Sequence, residues 1–273
     1  MNVPVSILIL TLNEEINLPG CFNSLKWCKD IVVLDSGSQD ATQQIALANG
    51  ARIVERAFDN YAAQRNFGLQ EITYKNPWVL MVDADERWPE EIAKEIGHAV
   101  QNDKDITLYH FRRKDMFMGR WLRRSSGYPT WFGRLVKPKA VRVTREINEE
   151  YHTNGKVGYL SEHFFHYPFN KGIAFWFERH NRYSSMEAVT LVQEAKGKIP
   201  WQDLFFSTPI LRRKALKKIA YRLPGRPWLV FIYLYFFRLG FFDGIPGFTY
   251  ARMRKMYEIM IDLKIKELRY KTK

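Results

Sequence analysis

Two carboxylates at the end of an apolar run are the residues of this chain best suited to chemistry. Asp83 and Asp85 directly follow residues 77–82, a run that predicts a buried strand. Carboxylates at the end of a strand offer the hard oxygen ligands that Mg²⁺ and Mn²⁺ prefer, and such a cation can bind a diphosphate. An Asp-x-Asp triplet is also common as a solvated turn. The position directly after a strand is therefore what favours a metal site here.

A second polar group follows an earlier apolar run at residues 31–34. Asp35 ends that run, Gly37 permits a tight turn, and Ser38 suits the N-cap of the helix predicted next. Together with the polar residues 11–14, this group favours a nucleoside pocket in which Asp35 accepts hydrogen bonds from the base or ribose. A plain strand-turn-helix with Asp35 in the turn is the alternative.

The elements that must position these groups follow from periodicity in the first hundred residues. Short β-branched runs alternate there with helical patterns, which predicts an α/β fold with a mostly parallel sheet and flanking helices. The predicted strands are residues 5–10, 31–34, 51–54 and 77–82, and the predicted helices are residues 15–27, 39–49, 62–71 and 89–100. Ligands of such sheets bind at the carboxyl ends of the strands, so the polar residues should converge on one crevice. After these elements we predict short strands within 107–167 and helices at 175–194 and 208–222.

The order and spacing of these motifs resemble family 2 glycosyltransferases of the GT-A fold, particularly the bacterial group related to lipopolysaccharide-core β-glucosyltransferases. The resemblance lies in TLNEE (11–15), DSGSQDAT (35–42), QRNFG (64–68) and VDADE (82–86), with later matches at 134–135, 147–149, 166–167, 183–184 and 240–247. It therefore covers nearly the whole chain. It implies a nucleotide-sugar half of a Rossmann-like GT-A domain at 1–105, an acceptor-side half at 106–170, and C-terminal amphipathic, membrane-associating helices within 171–273.

The resemblance also implies a role for each matching residue. The donor-binding set is Thr11, Asn13, Glu14, Asp35, Arg65 and Asp83. Asp83 and Asp85 are expected to bind Mg²⁺ or Mn²⁺, and Asp85 is also counted as catalytic. The implied donor is a nucleotide diphosphate sugar, with a UDP-hexose expected, and the implied acceptor is a glycolipid or cell-envelope saccharide.

The resemblance also implies inversion of the anomeric configuration, in which a carboxylate deprotonates the acceptor hydroxyl as it attacks the anomeric carbon and the nucleotide diphosphate leaves. We assign this base to Glu149, with the adjacent Glu150 as the alternative. The Gln-x-x-Arg-Trp motif of processive synthases is absent from the sequence, which favours single sugar additions. His163 and His166 are left open between a structural role and contact with metal or donor.

The C-terminal part of the chain carries most of the excess positive charge. From residue 200 onward there are 16 basic and 5 acidic side chains, a net charge of +11 out of +13 for the whole chain. The predicted membrane-binding residues are Arg212, Arg213, Lys217, Lys218 and Trp228. The apolar run 228–237 is half the roughly 20 residues that a spanning helix needs, so we expect no transmembrane helix.

These features predict a monotopic attachment to an anionic membrane surface. The expected location is the cytoplasmic face of the bacterial inner membrane, and the expectation that Cys21 and Cys28 are buried reduced thiols fits it. A helix hairpin buried against the catalytic domain is the alternative for the apolar run.

Two other classes of protein fit part of the sequence. A nucleic-acid-binding protein would suit the pI of 9.6 and the interleaved aromatic residues. It leaves the carboxylates at strand ends unexplained, so no nucleic-acid partner is expected. A sugar-nucleotide nucleotidyltransferase would share the sheet and the metal, but no glycine-rich triphosphate loop with Lys or Arg follows the first strand. The sequence does not indicate the oligomeric state.

Overall fold

The computed structural model describes residues 3–102, 105–144, 150–194, 219 and 225–271. The chain divides into two compact units: one of Met1–Met116 with Tyr128–Asn170, and one of Phe117–Gly127 with Lys171–Lys273. The strands are β1 (Val5–Thr11), β2 (Ile31–Asp35), β3 (Arg52–Glu55), β4 (Trp78–Asp83), β5 (Glu86–Arg87), β6 (Ile106–Phe117), β7 (Arg120–Trp121), β8 (Trp131–Val136), β9 (Val141–Thr144), β10 (Glu150–Thr153) and β11 (Lys156–His166). The helices of the first unit are α1 (Leu18–Ser24), α2 (Thr42–Ala48), α3 (Tyr61–Gln70) and α4 (Glu90–Asn102).

The main sheet is mixed, with the strand order β3-β2-β1-β4-β8-β6-β11-β5. Strands β1 to β4 pair in parallel, β8 runs antiparallel between β4 and β6, and β11 runs parallel to β6. The carboxyl ends of β1, β2, β4, β6 and β11 therefore lie along one edge. Strands β9 and β10 form a separate antiparallel pair.

The core lies on both faces of the sheet because successive strand residues point to opposite sides. In β1, Ile7 and Ile9 pack with Leu18 and Trp88 on one face, while Leu8 packs with Leu69 of α3 on the other. Gly68 allows α3 to approach β1 closely, since a Cβ there would lie 2.5 Å from Leu8 Cδ2.

Two expectations about these elements are wrong. The helix expected at 15–27 begins only at Leu18, because the backbone N–H groups of Asn17 and Leu18 both bond to the carbonyl oxygen of Glu14 in a turn. The strands expected to be short include β6, with 12 residues, and β11, with 11, which pair with each other in the main sheet. The charged run 112–115 does not end β6, because those residues lie half-buried between β8 and β11.

The second unit contains α5 (Gly172–Glu194), α6 (Arg226–Ile232) and α7 (Gly244–Lys271) in addition to β7. A π-helical turn at Tyr233–Phe237 and a 3₁₀ turn at Gly240–Asp243 connect α6 to α7. Helix α5 is bound to α7 by Lys264, whose Nζ donates to Ser184 Oγ at 2.7 Å.

The predicted basic helix at 208–222 lies outside the described residues, apart from Ile219, and so do Arg212, Arg213, Lys217 and Lys218. In the part of the chain that the structure describes, no single helix is long and apolar enough to cross a membrane. Among the described residues, one pair of segments, Arg226–Phe237 and Gly240–Lys271, is long and apolar enough when the two are taken together, but the pair is bent by 73° at a short break. Cys21 and Cys28 are free and buried, which confirms the expectation of unpaired thiols.

Candidate active site

The turn after β2 is organised around the buried carboxylate of Asp35. Its Oδ1 accepts hydrogen bonds from Thr11 Oγ1 at 2.7 Å and Ser38 Oγ at 2.6 Å, and its Oδ2 accepts from Ser38 N at 2.8 Å and Gln43 Nε2 at 3.0 Å. Burial opposes ionisation of Asp35, but these donors hold its pKa below the usual value. The predicted residues Thr11 and Asp35 are therefore in direct contact, and Asp35 fixes the loop from inside.

The loop after β1 is tied to the same turn by its own polar residues. Asn13 has a positive φ of 53°, its backbone N–H donates to Ser38 Oγ at 2.8 Å, and its Oδ1 accepts from Gln39 N at 2.8 Å. The backbone N–H of Glu14 donates to Thr42 Oγ1 at 2.7 Å. The two loops thus form one preformed surface at the carboxyl ends of β1 and β2.

Asp83, the last residue of β4, is held between two buried arginines. Its Oδ1 lies 2.8 Å from Arg65 Nη2, and its Oδ2 lies 2.6 Å from Arg134 Nη2. Burial acts to raise the pKa of Asp83, but Arg134 and Arg65 hold it well below the usual range. Arg65 therefore lies at the Asp-x-Asp motif, and Asp83 is an ionised carboxylate with both oxygens engaged.

Arg134 also contacts Glu86, a fully buried carboxylate three residues beyond Asp83. Glu86 Oε2 accepts hydrogen bonds from the backbone N–H of Asp83 at 3.2 Å and from Trp88 Nε1 at 3.2 Å. Burial raises the pKa of Glu86 to about 7, against the opposing effect of Arg134. Glu86 and Arg134 thus hold the end of β4 in place, Glu86 through the backbone of Asp83 and Arg134 through its side chain.

Asp85 has a different partner, the imidazole of His166 at the end of β11. His166 Nε2 lies 3.3 Å from Asp85 Oδ2, and His166 Nδ1 lies 2.7 Å from Asp115 Oδ1. Burial and Arg113 act to lower the pKa of His166, but Asp85 and Asp115 raise it to about 9. The carboxylates on either side of the ring therefore favour its protonated form.

The residues at the end of β4 fit a divalent cation through Asp85 and His166. A histidine that ligates a metal usually directs its other ring nitrogen at a carboxylate, which is the arrangement of His166 and Asp115. Within the described residues no three His, Cys, Asp or Glu side chains form a complete metal site. Mg²⁺ in such sites commonly uses one or two protein ligands and takes the rest from substrate phosphates and water. As a metal ligand Asp83 would compete with both of its arginines.

The family model for glycosyl transferase family 2 matches residues 6–175, which is more than half of the chain. The chain belongs to glycosyltransferase family 2. Its mostly parallel sheet with flanking helices is the GT-A fold, so the predicted fold and enzyme class are confirmed.

Relatives of similar length support the same assignment. The lipopolysaccharide core biosynthesis glycosyltransferase LpsC of Rhizobium meliloti is 25% identical over 96% of this chain and 92% of its own length. An uncharacterized glycosyltransferase of Rickettsia typhi is 26% identical over 98% of this chain and 89% of its own. Among solved structures, glucosyl-3-phosphoglycerate synthase of Mycobacterium tuberculosis, in complex with Mn²⁺, UDP and phosphoglyceric acid, matches with 23% identity and a TM-score of 0.34, over 43% of this chain and 44% of that chain.

In this glycosyltransferase the proposed base Glu149 lies outside the described residues, so its assignment stays a prediction. Its neighbour Glu150 is the first residue of β10, where its half-exposed carboxylate lies 3.9 Å from His152 Nε2. Of the two histidines left open, His166 is in contact with Asp85, whereas His163 packs against Phe165.

Sequence reasoning included Glu86 and Arg134 among the matching motifs, but it missed the contacts of Arg134 with Asp83 and Glu86, and it missed Asp115. Arg134 and Asp83 are 51 positions apart, as are His166 and Asp115. The only available signal was indirect, because charged residues in strands that end at the same edge as β4 are candidates for partners of its carboxylates.

Proposed function

We propose that this chain is an inverting glycosyltransferase that transfers one sugar from a UDP-hexose to a glycolipid or lipopolysaccharide-type saccharide of the cell envelope. The observation that carries the proposal is the end of β4, where Asp83 lies between two arginines and Asp85 faces His166. This arrangement combines fixed cations with a carboxylate-imidazole pair suited to a metal. Both features serve to bind a diphosphate. The similarity to LpsC supports an acceptor of the lipopolysaccharide class.

The donor is assigned to the preformed surface of the β1 and β2 loops and to the end of β4. Asn13 and Glu14 contact the nucleoside in this proposal, the buried Thr11 and Asp35 hold the two loops in place around it, and Arg65 stabilises the phosphate side. Asp85 and His166 would hold Mg²⁺ or Mn²⁺, and the cation would offset the negative charge that develops on the departing nucleotide diphosphate. Asp83 stays paired with Arg65 and Arg134 in this proposal and positions both arginines for the diphosphate.

The proposed base is Glu149, with Glu150 as the alternative. The carboxylate takes the proton of the acceptor hydroxyl while the hydroxyl oxygen forms a bond to the anomeric carbon. The bond from that carbon to the diphosphate oxygen breaks, and UDP leaves from the opposite face of the sugar. Attack from one face and departure from the other inverts the anomeric configuration.

The base assignment is tested by replacing each glutamate in turn. Glu149→Gln should retain UDP affinity and lose turnover by about a hundredfold or more, because a general base acts in the transition state. Near-normal turnover in Glu149→Gln with an inactive Glu150→Gln would assign the base to the neighbour. Normal turnover in both variants would refute a base in this segment.

The metal and donor assignments are tested by UDP binding with and without Mn²⁺. A ligand that binds only the folded state raises the unfolding midpoint. Asp85→Asn should remove the Mn²⁺-dependent part of the UDP-induced shift, whereas Asp105→Asn should leave it intact. Asp105 is a matched control because its exposed carboxylate pairs only with surface Lys156 among the described residues, at 3.0 Å. An unchanged shift in Asp85→Asn, or full transfer by the wild type in excess chelator, would refute the metal assignment.

The products distinguish this reaction from its rivals. A glycosyltransferase releases a nucleoside diphosphate, whereas a sugar-nucleotide nucleotidyltransferase releases pyrophosphate. A salt-dependent complex with DNA in the absence of sugar transfer would instead favour the nucleic-acid-binding alternative.

For a lipid-linked acceptor we further propose a peripheral location at the cytoplasmic face of the bacterial inner membrane. The C-terminal excess of cations supports an anionic membrane surface as a partner. Reversing Arg212, Arg213, Lys217 and Lys218 to Glu should release the protein from vesicles that contain acidic lipid. Flotation of that variant as efficient as the wild type would refute the electrostatic contribution.

A further inference from the structure

The break between α6 and α7 carries a cluster of exposed apolar side chains, which we call the aromatic wedge. It consists of Phe236, Phe237, Phe241, Phe242 and Ile245. The side chains of Phe237 and Ile245 are 77% and 75% exposed. Soluble surfaces rarely expose contiguous apolar patches of this kind without a partner.

The wedge is held in place by buried contacts at its centre. The Asp243 carboxylate is buried and accepts hydrogen bonds from Arg124 N at 3.0 Å, Ser125 N at 2.8 Å and Ser125 Oγ at 2.7 Å. A Cβ at Gly247 would lie 2.3 Å from the carbonyl oxygen of Gly240, so only glycine permits this approach. The turn that exposes the side chains of the wedge is therefore fixed by buried contacts.

Helices α6 and α7, which flank the wedge, are joined by a buried ion pair and carry basic side chains. Arg226 of α6 pairs with Glu258 of α7, and both side chains are buried. Lys255 Nζ lies 2.9 Å from the ring centroid of the exposed Trp228. Between residues 227 and 257, a range that leaves out the buried Arg226, there are four basic residues and one acidic residue, Asp243, whose carboxylate is buried. The surface of this hairpin is therefore apolar and cationic.

We propose that the hairpin of α6 and α7 is a membrane wedge whose aromatic tip enters one leaflet of a bilayer that contains anionic lipid. Aromatic rings partition into the region between headgroups and acyl chains, and adjacent cations pair with lipid phosphates. The segment Arg226–Phe237 has 12 residues, about 18 Å at 1.5 Å per residue, against a hydrocarbon core of about 30 Å. The chain then turns by 73°. The wedge penetrates the leaflet without crossing the bilayer.

The inference extends the proposed peripheral location and names the surface responsible for it. Its test does not depend on sugar transfer, because vesicle binding and the UDP-induced stabilisation are measured separately. UDP-induced stabilisation without vesicle binding would mean that the membrane proposal has failed, and vesicle binding without UDP-induced stabilisation would mean that the glycosyltransferase proposal has failed.

The experiment measures flotation of the full chain with vesicles of phosphatidylcholine alone or with one quarter phosphatidylglycerol. The double variant Phe237→Ser/Ile245→Ser should lose at least nine tenths of the binding to the anionic vesicles. Tyr270→Ser is the matched control, since Tyr270 is 83% exposed near the end of α7, outside the wedge. It should bind as the wild type does. Far-UV circular dichroism and the UDP-induced shift, unchanged in all three proteins, show that the fold is retained.

A second variant reports insertion directly. Phe242→Cys, labelled with an environment-sensitive fluorophore, should shift its emission to the blue with anionic vesicles, because Cys21 and Cys28 are buried and do not compete for the label. Wild-type binding by the double variant, or no emission shift, would overturn the wedge. Self-association is the rival, and it is indicated if the wild type is a dimer that the double variant converts to a monomer while neither binds vesicles. Protease cleavage on both sides of sealed vesicles would show a spanning hairpin and would also overturn the proposal.

Discussion

Arg134→Met tests the arrangement at the end of β4 through stability and pH. Arg134 is buried and contacts two carboxylates, Asp83 at 2.6 Å and the fully buried Glu86. Removing the arginine leaves Asp83 with Arg65 but leaves Glu86 without a cation in contact. Breaking a buried ion pair from one side costs about 3 to 5 kcal/mol, because a charge stays behind without its partner.

The dependence of that loss on pH follows from Glu86. Burial raises its pKa from 4.5 to about 7 in the folded protein, and loss of Arg134 raises it further. Because the folded state favours the protonated acid, the stabilisation is fully present below pH 4.5 and is lost as the pH rises through the folded pKa. Between pH 6 and 8 the wild type loses about 1.4 kcal/mol, at ~1.36 kcal/mol for each unit of pH, and the variant, in which the pKa of Glu86 is higher, loses more. The destabilisation should therefore be larger at pH 8 than at pH 6, by up to about 1.4 kcal/mol.

The assay is urea unfolding of both proteins at pH 6 and pH 8, followed by tryptophan fluorescence. Glu86→Gln/Arg134→Met should remove most of the additional loss at pH 8, since no ionisable carboxyl remains at position 86. Arg112→Met in β6 is a matched control, because no described carboxylate lies within 4 Å of Arg112 and its guanidinium packs 5.6 Å from the ring centroid of Trp131. Its effect should be the same at both pH values. An equal destabilisation of Arg134→Met at pH 6 and pH 8 would refute the assignment of the pH dependence to Glu86.

Three further predictions concern other parts of the chain. Burial lowers the pKa of His180 to about 4, so acid should destabilise the wild type by about 3 kcal/mol as the pH falls from 6.5 to 4, and urea unfolding of His180→Phe should lack that loss. Asp243→Ala leaves the buried N–H and O–H donors of Ser125 without their acceptor, and denaturant unfolding should show a loss of about 2 to 4 kcal/mol. Asp35→Ala removes the acceptor that orders the loop after β2, and calorimetric titration should show UDP affinity lower by about tenfold or more, with an unchanged affinity contradicting the nucleoside assignment.

The positions of the first four strands along the chain could be predicted, because β1, β2 and β4 are short apolar runs buried in a parallel sheet and the edge strand β3 carries the β-branched pair Ile53 and Val54. The positions of Asp35, Asp83 and Asp85 at strand ends followed from the same pattern. The partners of these carboxylates could not be predicted, since the order of the strands in the sheet decides which distant residue lies beside them, as with Arg134 of β8, 51 positions from Asp83.

The sequence pattern ends the apolar run at Phe237, before Arg238 and Gly240, but it did not predict the bend that follows. A run of apolar residues at 228–237 gives no sign that Leu239 adopts a positive φ of 59° and ends the helical path. The bend depends on tertiary contacts, above all those of Asp243 with Arg124 and Ser125, more than 115 positions earlier in the chain.

The two aspartates of the Asp-x-Asp motif look equivalent in sequence, but their partners give them opposite properties. Asp83 is one-third exposed, and both of its oxygens lie on arginines that cannot release a proton at neutral pH. A metal at Asp83 would have to displace a permanent cation. Asp85 faces His166, whose charge disappears when the ring loses its proton, so a divalent cation can replace a proton there without leaving a second positive charge behind. The two aspartates therefore differ in the proposed site: Asp83 pairs with two fixed cations, and Asp85 is the proposed metal ligand.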